Sequence, residues 1–148
     1  MNPTLQTGHD PALLIRLEAR AENVMLVRQA IEGAVREIGA DPTVVDDIKL
    51  AVTEACSNVV KYAYGAGAGE MEIALTSDEH SIAVTIRDFG EWREHDATGD
   101  IELSGMGIPL MKAVTSHHDV LRTPDGTQVA LEFTRRLGDA VPADNADE

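Results

Sequence analysis

Residues 41–65, DPTVVDDIKLAVTEACSNVVKYAYG, carry the strongest structural signal in the chain. Asp41 and Pro42 are typical of a helix start, because an aspartate can cap free backbone N–H groups and proline suits the first turn. Gly65 suits the end of the same helix. At about 100° per residue, one broad apolar stripe should face the core: Val45, Ile48, Val52, Ala55, Cys56, Val59 and Ala63. The chain must therefore pack this helix against an apolar layer.

The side of this helix opposite the stripe is polar. Glu54 and Asn58 are four residues apart, so their carboxylate and carboxamide should point the same way from adjacent turns. The amide oxygen of Asn58 could ligate Mg²⁺, a hard cation, without adding negative charge beside a phosphate. Glu54 could then accept a proton from an attacking hydroxyl group. A solvated helix face also explains such a pair when it is taken in isolation.

Length and charge limit the possible functions. The 148 residues fit one domain, and 26 acidic against 12 basic residues give a formal net charge of -14. This charge opposes binding to nucleic acid phosphates or to an anionic membrane surface, so we expect protein partners or metal-neutralised anions. The single cysteine, Cys56, falls on the apolar stripe and should be a small buried hydrophobe. Without a long apolar run or a signal peptide, the expected location is the cytoplasm.

Periodicity along the rest of the chain predicts strand, two helices, hairpin, helix and hairpin. The predicted fold is a two-layer α/β sandwich with a mostly antiparallel, mixed sheet that helices cover on one face. Residues 1–11 should form a flexible arm, residues 12–137 the domain, and residues 138–148 a disordered acidic tail. The polar segment 91–104 is predicted to be a loop or lid.

Three further motifs suggest a ligand site. Asp88 and Gly90 stand where a predicted strand runs into the polar segment, and Asp88 could accept a hydrogen bond from a ligand amino group. Ser104, Gly105, Met106 and Gly107 precede a predicted helix, so their backbone N–H groups could bind an oxyanion. The hydroxyl of Thr127, after a turn, could reach a phosphate. Each motif alone also fits an ordinary turn or loop.

Taken in order, EACSN at 54–58, DFG at 88–90, SGMG at 104–107 and GT at 126–127 resemble the GHKL ATPase superfamily, which has the Bergerat ATP-binding fold. The chain is most similar to its small anti-sigma-factor serine/threonine kinases. The resemblance implies Glu54 as the catalytic base and Asn58 as the Mg²⁺ ligand. It implies Asp88 as the adenine-recognising acid, with further nucleotide contacts from Gly90, Ser104, Gly105, Met106, Gly107 and Thr127.

The resemblance also implies ATP and Mg²⁺, a homodimer, an anti-anti-sigma antagonist protein as substrate and a sigma factor as second partner. Two positions depart from the family pattern: Trp92 replaces a second glycine, and Leu103 replaces a residue that is basic in related kinases. These departures could weaken or abolish catalysis, so the alternative to the kinase is a nucleotide-binding module that regulates a partner by contact. The ATP-binding part of a histidine kinase would need a phosphoacceptor helix, for which the sequence leaves no segment.

Overall fold

The computed structural model describes residues 11–65, 67–91 and 113–135. In these residues two helices and five strands follow one another along the chain. They are β1 (Leu13–Glu18), α1 (Ala21–Glu37), α2 (Pro42–Tyr62), β2 (Glu70–Ser77), β3 (Ser81–Asp88), β4 (His117–Thr123) and β5 (Gly126–Thr134). The predicted first strand, both predicted long helices and both hairpins are confirmed within a few residues. The arm apart from Pro11, the lid apart from Glu91, the 104–107 loop and the acidic tail lie outside the described residues, so those expectations stay predictions.

The five strands form one sheet in the order β1-β2-β3-β5-β4. All four pairings are antiparallel, and β3 lies at the centre. In the register, Ile86 of β3 stands between Ile73 of β2 and Val129 of β5. Side chains alternate between the two faces of a strand, so a fixed register gathers the apolar residues on one face. The predicted two-layer α/β fold is confirmed.

The core lies between this apolar face and the two helices. Its largest fully buried side chains come from both layers: Ile31, Val27 and Val35 of α1, Ile48 of α2, and Met71, Ile73, Leu75, Ile82, Ile86, Leu131 and Phe133 of the sheet. The helices also contact each other through an ion pair in which Lys49 Nζ lies 3.1 Å from Glu32 Oε1. No helix in the described part of the chain is long and apolar enough to cross a bilayer.

Helix α2 is buried over a wider arc than its sequence predicts. The whole predicted stripe is buried, but Val44, Ala51 and Asn58 are buried too. At 100° per residue the arc from Asn58 to Cys56 covers roughly 160°. The prediction that Asn58 lies on the side opposite the stripe is therefore wrong: Asn58 is 6% exposed and stands at the edge of the buried arc. Glu54, one turn earlier, is only half-buried.

The hairpin end of β3 is held by Arg135, which directly follows β5. Its two terminal nitrogens donate to the carbonyl oxygens of Asp78 and Ile38, and its backbone N–H donates to the carbonyl of His80. One side chain thus connects the β2–β3 turn with the C-terminal end of α1. This end of the sheet lies a full strand length away from Asp88.

Candidate nucleotide site at the end of the central strand

Asp88 is the last residue of β3, and its side chain points to the helix-covered face. It shares that face with Ile82, Val84 and Ile86 and stands opposite Met71 in the register. Only 1% of Asp88 is exposed. Its Oδ1 accepts hydrogen bonds from the backbone N–H groups of Gly90, at 3.1 Å, and Thr127, at 3.3 Å. The alternation of side chains along β3 therefore places the Asp88 carboxylate on the apolar face that packs against the helices.

Thr127 is buried beside Asp88, at the start of β5. It follows Gly126, whose φ of +142° is a conformation that residues with a side chain rarely adopt. A Cβ on Gly126 would lie 2.0 Å from the backbone oxygen of Asp88. Glycine is thus required here because β5 approaches the end of β3 so closely, and this approach brings the Thr127 N–H to the carboxylate.

The residues after Asp88 pack against the end of α2. The backbone N–H of Glu91 donates to the carbonyl of Ala63 at 2.9 Å. A Cβ on Gly90 would lie 2.2 Å from that same carbonyl oxygen, so a larger residue would separate the two segments. This packing explains why position 90 holds a glycine. The nucleotide contact that was predicted for Gly90 stays a prediction.

Asn58 and Glu54 stand on α2, earlier than this contact. Asn58 precedes Ala63 by five residues, which is about 7.5 Å along the helix axis. Its Nδ2 is buried and has no hydrogen-bond partner among the residues that the structure describes. A buried amide without a partner costs free energy unless a ligand satisfies it. Rotation of the amide by 180° about its last torsion would present Oδ1 in the same place. Asn58 thus fits a ligand group or a hard cation.

Three of the predicted site residues therefore meet at the end of β3: Asp88 and Thr127 share a hydrogen bond, and Gly90 lies beside them. Asn58 stands on α2, in the helix layer that covers this face of the sheet. The predicted pair of Glu54 and Asn58 does come from adjacent turns of one helix. No group of three histidine, cysteine, aspartate or glutamate side chains within residues 11–65, 67–91 and 113–135 could hold a metal ion.

The sequence reasoning missed Tyr64, which follows α2. Its hydroxyl forms hydrogen bonds with the backbone groups of Glu70 and Phe89, and its ring lies against Gly69 and Gly90. The available signal was the glycine-rich stretch 65–69 beside an aromatic residue, because glycines permit close packing on a ring. Cys56 was interpreted correctly as a buried hydrophobe, and burial raises the pKa of its thiol to about 12.

Comparison with known protein families bears on this geometry. The family described as "Histidine kinase-like ATPase domain" matches residues 17–133, which include α2, Asp88 and Thr127. The chain belongs to this family. The predicted GHKL-type ATPase fold is thereby confirmed, whereas the role of each individual site residue is not tested by the match.

Individual relatives show which proteins of this family the chain resembles. The serine-protein kinase RsbW of Halalkalibacterium halodurans is 33% identical over 143 residues, covering 87% of this chain and 86% of that kinase. The protein of the same name in Bacillus anthracis is 30% identical over 76 residues, covering 51% of this chain and 48% of the relative. This chain thus spans about half the length of the Bacillus relatives that it matches.

Two solved structures share the fold. The RsbU and RsbW domains of Rv1364c from Mycobacterium tuberculosis give a TM-score of 0.63 at 25% identity, covering 84% of this chain and 32% of that one. The histidine kinase domain of a blue-light activated histidine kinase from Erythrobacter litoralis gives 0.55 at 20% identity, covering 82% and 65%. The second likeness concerns the fold alone.

Proposed function

We propose that this protein is an ATP-dependent serine/threonine protein kinase and an anti-sigma factor of a partner-switching system. Its substrate is a small anti-anti-sigma antagonist protein, its second partner is a sigma factor, and it acts in the cytoplasm as a homodimer. Membership of the ATPase family and similarity to proteins named serine-protein kinase RsbW support this proposal. The chain spans about half the length of the Bacillus relatives that it matches. The activity and the partners of those whole proteins are therefore proposed for this chain.

One observation carries the nucleotide assignment. The Asp88 carboxylate lies buried at the end of the central strand and accepts a hydrogen bond from the backbone N–H of Thr127. Burying a carboxylate is expensive unless it is hydrogen-bonded. Two backbone N–H groups, those of Gly90 and Thr127, already orient Oδ1 of Asp88. An adenine amino group is a donor that such a carboxylate would bind, and guanine presents an acceptor at the same position of its ring. The site should therefore favour ATP over GTP.

Asn58 would hold the metal-bound phosphates, because its amide is buried and unpartnered in the described chain. Mg²⁺ would neutralise the phosphate charge and orient the phosphates, a role that it commonly has in phosphoryl transfer. Ser104, Gly105, Met106 and Gly107, outside the described residues, are proposed to contact the phosphates as well. The formal net charge of -14 opposes the binding of a free polyphosphate, and such neutralisation would offset this repulsion.

Glu54 is proposed as the catalytic base. The hydroxyl oxygen of the acceptor serine or threonine forms a bond to the terminal phosphorus, and the bond from that phosphorus to the bridging oxygen of ADP breaks. The hydroxyl proton passes to the Glu54 carboxylate. Glu54 is half-buried, so it is accessible to the side chain of another protein. It lies one turn from Asn58, about 6 Å along the axis, so the proposed base and the proposed ligand of the metal-bound phosphates would share one rigid helix.

Two substitutions on α2 test this assignment. In Glu54→Gln, phosphorylation of the antagonist should fall by about 10² to 10⁴, because shape is kept and basicity is lost, while ATP affinity stays within a few fold. In Asn58→Ala, binding of Mg-ATP should itself be lost. Anti-anti-sigma proteins from the same organism, incubated with ³²P-labelled ATP, provide the activity measurement. Calorimetry provides the affinity.

The unfolding free energy supplies the control. Removing the Asn58 amide should leave stability nearly unchanged, since Nδ2 has no partner to lose in the described chain. Equal phosphorylation rates for Glu54→Gln and the unaltered protein, with chemistry shown to limit the rate, would disprove the base assignment. ATP binding and antagonist binding without transfer of label would favour the module that acts by contact alone.

A further inference from the structure

Tyr64 lies between the end of α2 and the end of β3. Its hydroxyl donates to the carbonyl oxygen of Glu70 at 2.5 Å and accepts from the backbone N–H of Phe89 at 2.8 Å. Glu70 begins β2, and Phe89 directly follows Asp88. One hydroxyl group thus bridges two strands at the point where the buried carboxylate stands.

The ring of Tyr64 packs against two glycines, Gly69 and Gly90. A Cβ on Gly69 would lie 2.1 Å from ring atom Cε1, and a Cβ on Gly90 would lie 2.6 Å from the same atom. Neither position has room for a side chain while the ring stays in place. The two glycines therefore define where the ring sits, and the ring in turn limits where Gly90 can move.

Gly90 is the link from Tyr64 to Asp88. The N–H of Gly90 donates to Asp88 Oδ1, while the preceding N–H, of Phe89, donates to the Tyr64 hydroxyl. The following N–H, of Glu91, donates to Ala63. Three successive backbone groups are thus fixed, two of them by the end of α2. Movement of this turn would displace the donor that orients the carboxylate.

We propose that Tyr64 is a positioning residue of the nucleotide site: its hydroxyl fixes the Phe89–Gly90 turn and thereby the direction in which Asp88 faces adenine. The inference rests on the proposed function, because it assigns Tyr64 a role in that same site. Tyr64 acts through Asp88 and needs no contact with the nucleotide. Burial raises the pKa of Tyr64, so the hydroxyl keeps the proton that it donates at neutral pH.

A double-mutant cycle tests the route through Asp88. Calorimetric titration with Mg-ATP is carried out on the unaltered protein, Tyr64→Phe, Asp88→Asn and the double variant. Tyr64→Phe keeps the ring and should weaken ATP binding about threefold to tenfold, the usual effect of losing a hydrogen bond. In the Asp88→Asn background the same change should have less than a twofold effect, because residues in one hydrogen-bond network are not additive.

A second variant displaces the ring without removing the hydroxyl. Gly69→Ala should push the Tyr64 ring out of place and weaken ATP binding in the same Asp88-dependent way. Gly33→Ala is the matched control, because a Cβ there meets nothing within 4 Å, and it should leave ATP affinity unchanged. Arg135→Met removes hydrogen bonds at the far end of the sheet and controls for a general loss of stability.

Hydrogen exchange of the Phe89 amide verifies that Tyr64→Phe has released the turn. If this amide exchanges faster and ATP affinity is unchanged, the positioning role is disproved. The role is also disproved if Tyr64→Phe lowers ATP affinity by the same factor in the unaltered protein and in the Asp88→Asn variant, because Tyr64 would then act by another route. If the unaltered protein binds no Mg-ATP, the proposed function itself fails, and that result is distinct from the other two.

Discussion

Two aspartates flank the central strand and show what a turn alone requires. Asp78, in the β2–β3 turn, accepts at Oδ1 from the backbone N–H groups of His80 and Ser81, both at 2.8 Å. Asp88, at the other end of β3, also accepts two backbone N–H groups at Oδ1. Asp78 is exposed, whereas Asp88 is 1% exposed and has a donor 39 residues away in sequence.

The difference separates a structural aspartate from a candidate binding one. A turn needs only the local pattern that Asp78 has, and it forms at the surface at little cost. Nothing in turn formation requires the buried position of Asp88, which carries a desolvation penalty. The long-range donor, the close approach of Gly126 and the Tyr64 contacts all serve that one end of the strand. So many specific contacts around one buried carboxylate favour a ligand at this end of the strand.

The largest expected effect is on folding, through Gly126→Ala. The new Cβ would lie 2.0 Å from the Asp88 backbone oxygen, and φ would stay at +142°, so the end of β5 would have to move. We expect a loss on the order of 3 kcal/mol in the free energy of unfolding, measured by urea denaturation. Gly33→Ala, in α1, should instead gain up to about 1 kcal/mol. Equal stability of Gly126→Ala and the unaltered protein would contradict the required close approach.

The next effect is on ligand binding, through Asp88→Asn. Replacing the carboxylate removes a charged acceptor, so ATP affinity should fall by about 1.5 to 3 kcal/mol. Asp78→Asn is the matched control and should leave ATP affinity unchanged. Calorimetry with ATP and GTP checks both variants. Equal affinity of the unaltered protein for the two nucleotides would rule out Asp88 as the adenine-recognising acid.

The smallest effect is the pH dependence that Asp78 contributes to stability. Hydrogen bonds from the N–H groups of His80 and then Ser81 lower the pKa of the Asp78 carboxyl below its ordinary value. A lowered folded pKa means that the charged form is the stabilising one, so the contribution is full above the unfolded pKa and disappears as the pH falls through the folded pKa. Asp78→Asn should therefore unfold at a slightly lower temperature than the unaltered protein at pH 7. The two should converge as the pH falls through the lowered folded pKa of Asp78.

Much of the fold could be predicted, because each element carries its own periodic pattern. The apolar stripe of α2 and the alternation in β2 and β3 depend on local spacing alone. The burial of Asn58 could not be predicted in this way. Val44 and Ala51 extend the buried arc toward it, and only the packed sheet determines how wide that arc is.

The candidate site was predicted residue by residue but not as an arrangement. Motifs predicted Asp88 and Thr127 as candidate site residues, whereas their hydrogen bond depends on the pairing of β3 with β5. Tyr64 was missed because its role lies in two hydrogen bonds to backbone groups, and a sequence does not display backbone contacts. The Ser104–Gly107 loop stays a prediction.

The pairing of β3 with β5 has a consequence for folding kinetics. Contacts between distant residues form slowly, because a long stretch of chain must be closed before they are made. Helix α2 and the β2–β3 hairpin can form locally, but Asp88 meets Thr127 only after this long-range closure. A partly folded chain would therefore carry half of the site. Any ligand that needs both residues selects the completed native state and slows its loss to proteolysis or aggregation.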